Sequence, residues 1–325
     1  MGQYIARRAL VSIPVLLIAS IVVFAIVKNT ADPVAAIRSN PRASQAAIEQ
    51  YRHDLGLDKP APQQYLTWLG NFLRGHWGTS IVSGRPVGPD IREAMANTMV
   101  LGLTAFVLSL VLGISVGIFS AVRQYSFFDY LATGSSFLGL SIPTFWFALI
   151  LQIVFGLYVT SWFHLGTPIF PTAGLYSPGL VGFNLIDRVR HLVLPVTVLS
   201  VQIVALYSRY TRAGMLDVLH SDYLRTARAK GLNERTVMVR HAMRNALIPL
   251  VSVAAIDVGA LAGGLIVTEQ IFNWPGMGVL FISAMQNGDY SVVLSWMMIV
   301  VFFVIVFNLV ADIMYAVLDP RIRYD

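Results

Sequence analysis

The 325-residue chain contains no cysteine. That absence excludes a disulfide framework, a thiolate nucleophile and a cysteine-ligated metal together. Charge is also scarce, at 12% Asp, Glu, Lys and Arg, against roughly 25% in soluble domains. Only three lysines occur, Lys28, Lys59 and Lys230, and none follows a glycine, so the glycine-rich loop and lysine that cradle nucleotide phosphates are missing. His53, His76, His164, His191, His220 and His241 are scattered, with no His-Glu-x-x-His, which argues against a zinc site. What the chain has in excess is apolar sequence: 56% of residues are hydrophobic and the mean hydropathy is +0.67. One water-soluble core of this length cannot hide so much, because its surface must still be wetted. The chain reads as an integral membrane protein.

A bilayer core of about 30 Å asks for about 20 mostly apolar helical residues. Six stretches satisfy this: Ala9 to Val27, Met99 to Val122, one within Leu131 to Phe163, Leu192 to Ser208 around Pro195, Asn245 to Thr268 around Asp257, and Tyr290 to Ala311. The expected fold class is all-α, with six transmembrane helices. Six crossings place both termini on one side. That side holds 13 of the 23 basic residues, eight of them between Arg209 and Arg244. The short outer loops offer only Arg188 and Arg190, so both termini are expected to be cytoplasmic. The net charge of +6 then belongs to loops facing anionic headgroups rather than to nucleic acid. Arg7-Arg8 before an apolar run also suggests a secretion signal. That run is long for one, however, and no Ala-x-Ala site follows closely, so a retained first helix is expected.

The chain divides into 1–27 (N-terminus and first span), 28–96 (an extracytoplasmic cap region), 97–313 (the remaining core, with a polar loop at 210–245) and 314–325 (a tail). In the cap, Ser44 is positioned to start one short helix. A second over Gln64 to Arg74 would place Tyr65, Leu66, Leu69, Phe72 and Leu73 on one face, with Trp68 and Trp77 at headgroup level. Gly113-Ile-Ser115-Val-Gly117 matches the Gly-x-Ser-x-Gly hydrolase pattern but lacks the preceding strand. Glycines four apart in an apolar span favour close helix packing instead. Gly259 and Gly263 invite the same reading.

The loop at 210–245 carries the most information. Ser221 or Asp222 can cap a helix through Lys230, Gly231 is a natural stop, and Asn233 can start a second helix toward the membrane. On composition alone this is equally a basic loop holding anionic lipid. The stretch Asp222-Tyr-Leu-Arg-Thr-Ala-Arg-Ala-Lys-Gly231, however, resembles the EAA loop of ABC-importer permeases. Arg225, Thr226 and Ala227 stand at the Glu-Ala-Ala places, and Arg244 stands where proline often lies, with Pro249 five further on. This form is similar to that of peptide and nickel importers, B-type subunit. Leu55-Gly-Leu-Asp-Lys-Pro60, Gly75-His-Trp-Gly-Thr-Ser80, Glu269 to Gly278 with Asp289-Tyr290, and Asn308 to Arg321 resemble the same subfamily in order. His76-Trp77 departs from it, where an acidic and an aliphatic residue would be expected.

The resemblance implies a type I ABC-importer permease fold with an outer cap between helices 1 and 2, multi-pass in the bacterial plasma membrane. It further implies a non-catalytic subunit for short-peptide import, whose partners are a second homologous permease (a heterodimer), two ABC ATPases or one fused ATPase, an extracytoplasmic binding protein, and lipid. No cofactor is expected on this chain, ATP and magnesium being held by the ATPases. The implied coupling residues are Asp222, Tyr223, Arg225, Thr226, Ala227, Arg228, Ala229, Lys230, Gly231, His241, Arg244 and Asn245. Asp257, a carboxylate inside a span, is expected to face a pathway, to bond the partner permease or to sit protonated. Glu269 is a weaker pathway candidate, better suited to a turn or gate. A secondary transporter or channel independent of ATP is the alternative, though it should show an internal repeat and more intramembrane charge.

Overall fold

The computed structural model describes residues 2–30, 34, 38, 44–54, 56–180 and 182–318. Leu55 of the cap motif, Asp319-Pro320-Arg321 and Arg323 lie outside the described residues. Among those described, helix is the only regular element, and β-pairing is confined to an isolated bridge between Thr79 and Pro86.

The helices are α1 (Gly2–Thr30), α2 (Gln45–Asp54), α3 (Ala61–Leu73), α4 (Val87–Val122), α5 (Phe127–Ser141), α6 (Thr144–Trp162) and α7 (Leu185–Leu219). They continue as α8 (Asp222–Ala229), α9 (Glu234–Ala246), α10 (Ile248–Ala260), α11 (Ile266–Ile271), α12 (Met277–Gln286) and α13 (Tyr290–Leu318). Five of these, α1, α4, α6, α7 and α13, are long and apolar enough to cross a membrane. The count reaches six when the pair α9 and α10, bent by 54° at Leu247, is taken as one span. Arg8 and Asp312 form an ion pair of 3.0 Å, so α1 and α13 bring the two chain ends to one end of the bundle. The cap helices α2 and α3 lie at the other.

Three spans differ from the sequence expectation. The helix expected from Met99 begins at Val87, since Pro86 sets its start and Asp90 in its first turn suits the helix dipole. The stretch 131–163 is two helices, because Pro143 forces Ile142 out of the helical region. The helix expected to run from Asn245 to Thr268 ends at Ala260 in a tight turn, and Gly264 then adopts φ +80°. Pro195, by contrast, is carried inside α7 without ending it.

The central contact is α4 against α7. A Cβ on Gly113 would stand 2.6 Å from Tyr207 Cβ, and one on Gly117 2.5 Å from Thr211 Cβ. Both positions therefore need glycine for proximity. Ser115 faces away, exposed, with its hydroxyl donating to the Val111 carbonyl at 2.7 Å, so the hydrolase pattern is a packing stripe. Gly259 meets Phe307 of α13 in the same manner, while Gly263 has ordinary space.

Two polar clamps hold the ends. At the terminal end, Arg212 of α7 donates two hydrogen bonds, of 2.7 and 2.8 Å, to Asp129 at the start of α5. Ser120 and the Tyr125 amide donate to the same carboxylate. The guanidinium holds the Asp129 carboxyl well below the usual carboxylate range. At the cap end, Ser80 donates to Asp289 at 2.5 Å, which ties the cap to the start of α13.

The cap itself packs through aromatic rings. Phe24 of α1, Tyr65, Trp68, Phe72 and Trp77 form a continuous contact ladder, and Tyr65 hydrogen-bonds Ser20 at 2.7 Å. The expected apolar face of α3 is corrected here: Leu66 and Leu73 point outward, at 64% and 77% exposure, and Trp68 takes the inward place. Both tryptophans belong to this ladder, packed on the core cluster.

Gly117→Val should destabilise the bundle by about 1–3 kcal/mol through overpacking, while Ser115→Ala should stay within about 0.5 kcal/mol of wild type. Thermal unfolding in detergent micelles tests this, and equal melting points for the two variants would contradict the packing assignment.

Candidate functional site

The loop at 210–245 folds into a knob built from the end of α7, α8 and α9. Helix α8 turns Leu224 and Ala227 inward, three residues apart, onto Ala121, Met215, Val237, Ala242 and Ala246. Every other residue of α8 is exposed. Ser221 stands at the cap position, but its hydroxyl donates to the Val218 carbonyl and does not cap the helix. Gly231 ends the helix at φ +78°, a backbone that L residues reach only at a cost of about 1–2 kcal/mol. A Cβ there would meet nothing within 4 Å, so the glycine serves the turn and not a close contact. Asn233 caps α9 by accepting from the Thr236 amide at 2.7 Å.

Across the turn, Arg228 grips Glu234 with two hydrogen bonds of 2.8 and 3.1 Å. The guanidinium lowers the Glu234 carboxyl from its ordinary value, and the carboxylate raises Arg228. Asn245 donates to the Tyr223 hydroxyl at 3.0 Å and to the His241 carbonyl at 3.3 Å, which ties α9 back to α8. Of the residues singled out in sequence, Asp222, Tyr223, Arg225, Thr226, Arg228, Ala229, Lys230 and Gly231 thus share one exposed surface. Arg244 and Asn245 are exposed on α9, where His241 is half-buried. Ala227 is not part of that surface: it is buried under the knob and supports it. Sequence reading missed Leu232, whose side chain is 41% exposed beside Gly231, and the Arg228–Glu234 clamp, whose only signal was opposite charge six residues apart.

The second feature is a cavity of about 470 Å³ among α4, α7 and α10, lined by Gly102, Phe106, Gln202, Ile203, Asp257 and Leu265 among others. Asp257 projects into it and accepts a hydrogen bond of 2.7 Å from the Tyr207 hydroxyl. Gln202 serves both the cavity wall and the break at Pro143. Its amide nitrogen donates to the Ile142 carbonyl at 2.9 Å, and its oxygen accepts from the Thr144 hydroxyl at 3.0 Å.

Glu269 lies elsewhere. It is fully buried and does not line this cavity. Its carboxylate accepts from Thr98 at 2.7 Å, from the amides of Gly278 and Val279 at 2.6 and 3.3 Å, and from the Leu265 amide at 3.2 Å. A carboxylate at the first turn of α12 satisfies amides that have no partner within the helix, so the turn role fits it and contact with a passing molecule does not. Glu269→Gln turns one oxygen into a donor among donors. It is expected to cost about 1.5–3 kcal/mol and to accelerate hydrogen exchange at the Gly278 and Val279 amides; unchanged exchange there would refute the capping role.

Residues 113–324 match the family described as binding-protein-dependent transport system inner membrane component, and residues 1–88 match the N-terminal membrane component of the same systems. The chain is 44% identical, over all of both chains, to the oligopeptide transport system permease protein AppB of Bacillus subtilis. It is 36% identical to the dipeptide transport system permease protein DppB of Escherichia coli K12, covering all of this chain and 99% of the other. It is 37% identical to the glutathione transport system permease protein GsiC of Pectobacterium atrosepticum, covering all of both. Among solved structures, an inward-facing MetNI methionine ABC transporter superposes with TM-score 0.52 at 16% identity, covering 70% of this chain and 96% of that one. That likeness shows the fold of an ABC-importer permease.

Proposed function

The chain belongs to the family of binding-protein-dependent transport system inner membrane components, and from that premise we propose that it passes short peptides through the Asp257 cavity, driven by a partner ATPase seated on the Gly231 knob. It is a multi-pass membrane permease subunit, a transport component and not an enzyme, and it works with ATPase and substrate-binding partners. The knob is the observation that carries the coupling role: an eight-residue helix, α8, keeps only Leu224 and Ala227 for its own core and presents the rest outward. The names of the Bacillus and Escherichia relatives support peptides as the cargo.

In this reading the knob and both termini face the cytoplasm and the cap faces outward, where a binding protein delivers substrate. ATP and magnesium are held by the ATPases. Closure of the ATPase dimer moves the knob, and the apolar cluster that holds Leu224 together with Met215 passes that movement into α7, which walls the cavity. A second, homologous permease completes the cavity wall from the open side, and lipid bathes the remaining helices. The basic residues Arg225, Lys230, Arg235, Arg240 and Arg244 give the knob a positive surface suited to an acidic groove.

Gly231→Pro is expected to leave ATP binding by the assembled complex intact while reducing peptide uptake in proteoliposomes more than tenfold. Proline fixes φ near −65°, whereas the turn needs +78°. Gly231→Ala, which only strains the turn, should fall between. Wild-type uptake by the proline variant would defeat the coupling role.

Asp257 is assigned to the substrate's free amino group. Asp257→Asn should lower uptake of peptides with a free N-terminus several-fold more than uptake of N-acetylated ones. Equal losses would reduce Asp257 to a structural partner of Tyr207.

A further inference from the structure

Arg188 is a buried cation that the permease mechanism above leaves unused. It sits one turn into α7 at the cap end, 8% exposed. Its Nη2 donates to the Asn97 side-chain oxygen at 3.1 Å, a neutral acceptor. Its Nη1 is buried with no hydrogen-bond partner. Among the described residues no carboxylate forms an ion pair with it. The adjacent Asp187 is taken up by the Ser177 amide and hydroxyl at 2.8 and 2.6 Å and lies 3.6 Å from His191. In place of a counter-ion the guanidinium is held between two rings, Trp274 at 4.5 Å and Tyr176 at 5.2 Å from ring centre to Cζ. Buried charges are ordinarily paired, because leaving water costs them heavily. This one carries an open donor and two aromatic faces.

Its position on α7 decides what the open donor is for. At 3.6 residues per turn, Arg188 shares one face of the helix with Leu192, Leu199, Gln202, Ile203 and Leu206. The last four line the Asp257 cavity. Between Arg188 and the cavity stands an apolar plug of Leu101, Leu192, Val196 and Trp274. Asn97 pins that plug from three atoms: its carbonyl accepts from Trp274 Nε1 at 3.0 Å, its side-chain nitrogen donates to the Pro275 carbonyl at 3.0 Å, and its side-chain oxygen holds Arg188. The order along the wall, from cap end inward, is therefore cation, plug, cavity and acid. Trp274 is fully buried, while Tyr176 is partly exposed and forms the outer leaf.

We propose that Arg188 is the entry site for the carboxylate of the transported molecule, covered by Tyr176 and Trp274 when the mouth is shut and engaged through Nη1 when it opens. A carboxylate accepts two parallel hydrogen bonds from a guanidinium, which would fill the open donor and displace Asn97 from Nη2. The Asn97 side chain then keeps only its bond to the Pro275 carbonyl, and as the guanidinium turns toward the carboxylate Trp274 loses the cation stacked on its ring, so the plug is loosened from its cap side as cargo arrives. The inference rests on the import reading and adds the substrate group recognised at the mouth.

The test uses the full complex with its binding protein and ATPases, and phenylglyoxal as a guanidinium reagent read by peptide mass spectrometry. Arg188 should label at least fivefold more in the ATP-vanadate-trapped complex than at rest, and trialanine free acid should protect it while trialanine amide does not. Equal labelling in both states, no labelling in either, or equal protection by acid and amide would overturn the proposal. In proteoliposomes, Arg188→Gln should cut trialanine uptake at least tenfold and Arg188→Lys less; a glutamine variant as active as wild type would also overturn it. Trialanine uptake by the wild type is read separately. Its absence would count against the peptide reading, whereas uptake without acid-selective protection would sink the Arg188 assignment alone.

Discussion

Inside a bilayer no water reaches a broken helix, so each backbone group that loses its helical partner must find one in the protein. This chain breaks its helices repeatedly, and the rest of its architecture follows from how those breaks are satisfied. At Pro143 the freed Ile142 carbonyl is met by Gln202. At the end of α11 the Ile271 carbonyl is met by Gln152, which also takes the Thr172 carbonyl. Around Gly264 and the start of α12 the free amides converge on Glu269. At Pro275 the carbonyl is met by Asn97. The polar side chains inside the bundle are thus largely committed to backbone repair. Among the charged side chains, Asp257, bonded to a tyrosine hydroxyl and open to a cavity, and Arg188, with a free donor, are not used in this way. They stand out because their neighbours are so fully used.

What the sequence made legible was whatever depends on period and composition. Six apolar stretches, the glycine stripe of Gly113 and Gly117, the Gly231 turn and the Asn233 cap are properties of residue type at short range; the structure carries the last three as read, and the stretches as five spanning helices, six with the bent pair taken as one. The breaks were harder to read. Pro143 was visible, but a charge-free stretch that long also suits one tilted span. The end of α10 at Ala260 had no local signal except Gly264, because the energy that permits it comes from Glu269 and Thr98, the latter far away in the chain. Glu269 read as better suited to a turn or gate than to a pathway, but which amides it serves was not visible until its four donors were located. Arg188 counted only as a charge on an outer loop, and nothing near it in sequence announces that it lacks a counter-ion. Ala227 belonged to the recognised loop, but membership in a motif does not say which residues face in.

Helix α7 is the element that makes one machine of these parts. Its 35 residues span about 50 Å at 1.5 Å per residue. One end bears Arg188 and the plug contacts. The middle packs on Gly113 and Gly117 and walls the cavity. The far end carries Arg212, clamped to Asp129, and Met215, buried in the same apolar cluster as Leu224 of the knob. Because Gly113 and Gly117 bring α4 within van der Waals range, α7 cannot tilt without taking α4 along. Displacing the knob therefore becomes a movement of a helix pair, not of a loop.

That rigidity bears on why the cap-end plug is held by hydrogen bonds and ring contacts while the knob is held by apolar packing. In the proposed coupling, Leu224, Ala227 and Met215 transmit force in both directions, and close-packed apolar contacts do so without depending on charge state. The plug must instead release on a chemical cue. The contacts of the Asn97 side chain with Pro275 and Arg188 are individually modest and share one amide group, so a competitor for Arg188 loosens that side chain while the backbone carbonyl still holds Trp274. A salt bridge in that position would hold the mouth shut against the same competitor. An arginine whose one side-chain acceptor among the described residues is a neutral amide is the arrangement that keeps the mouth closed and still yields to an arriving carboxylate.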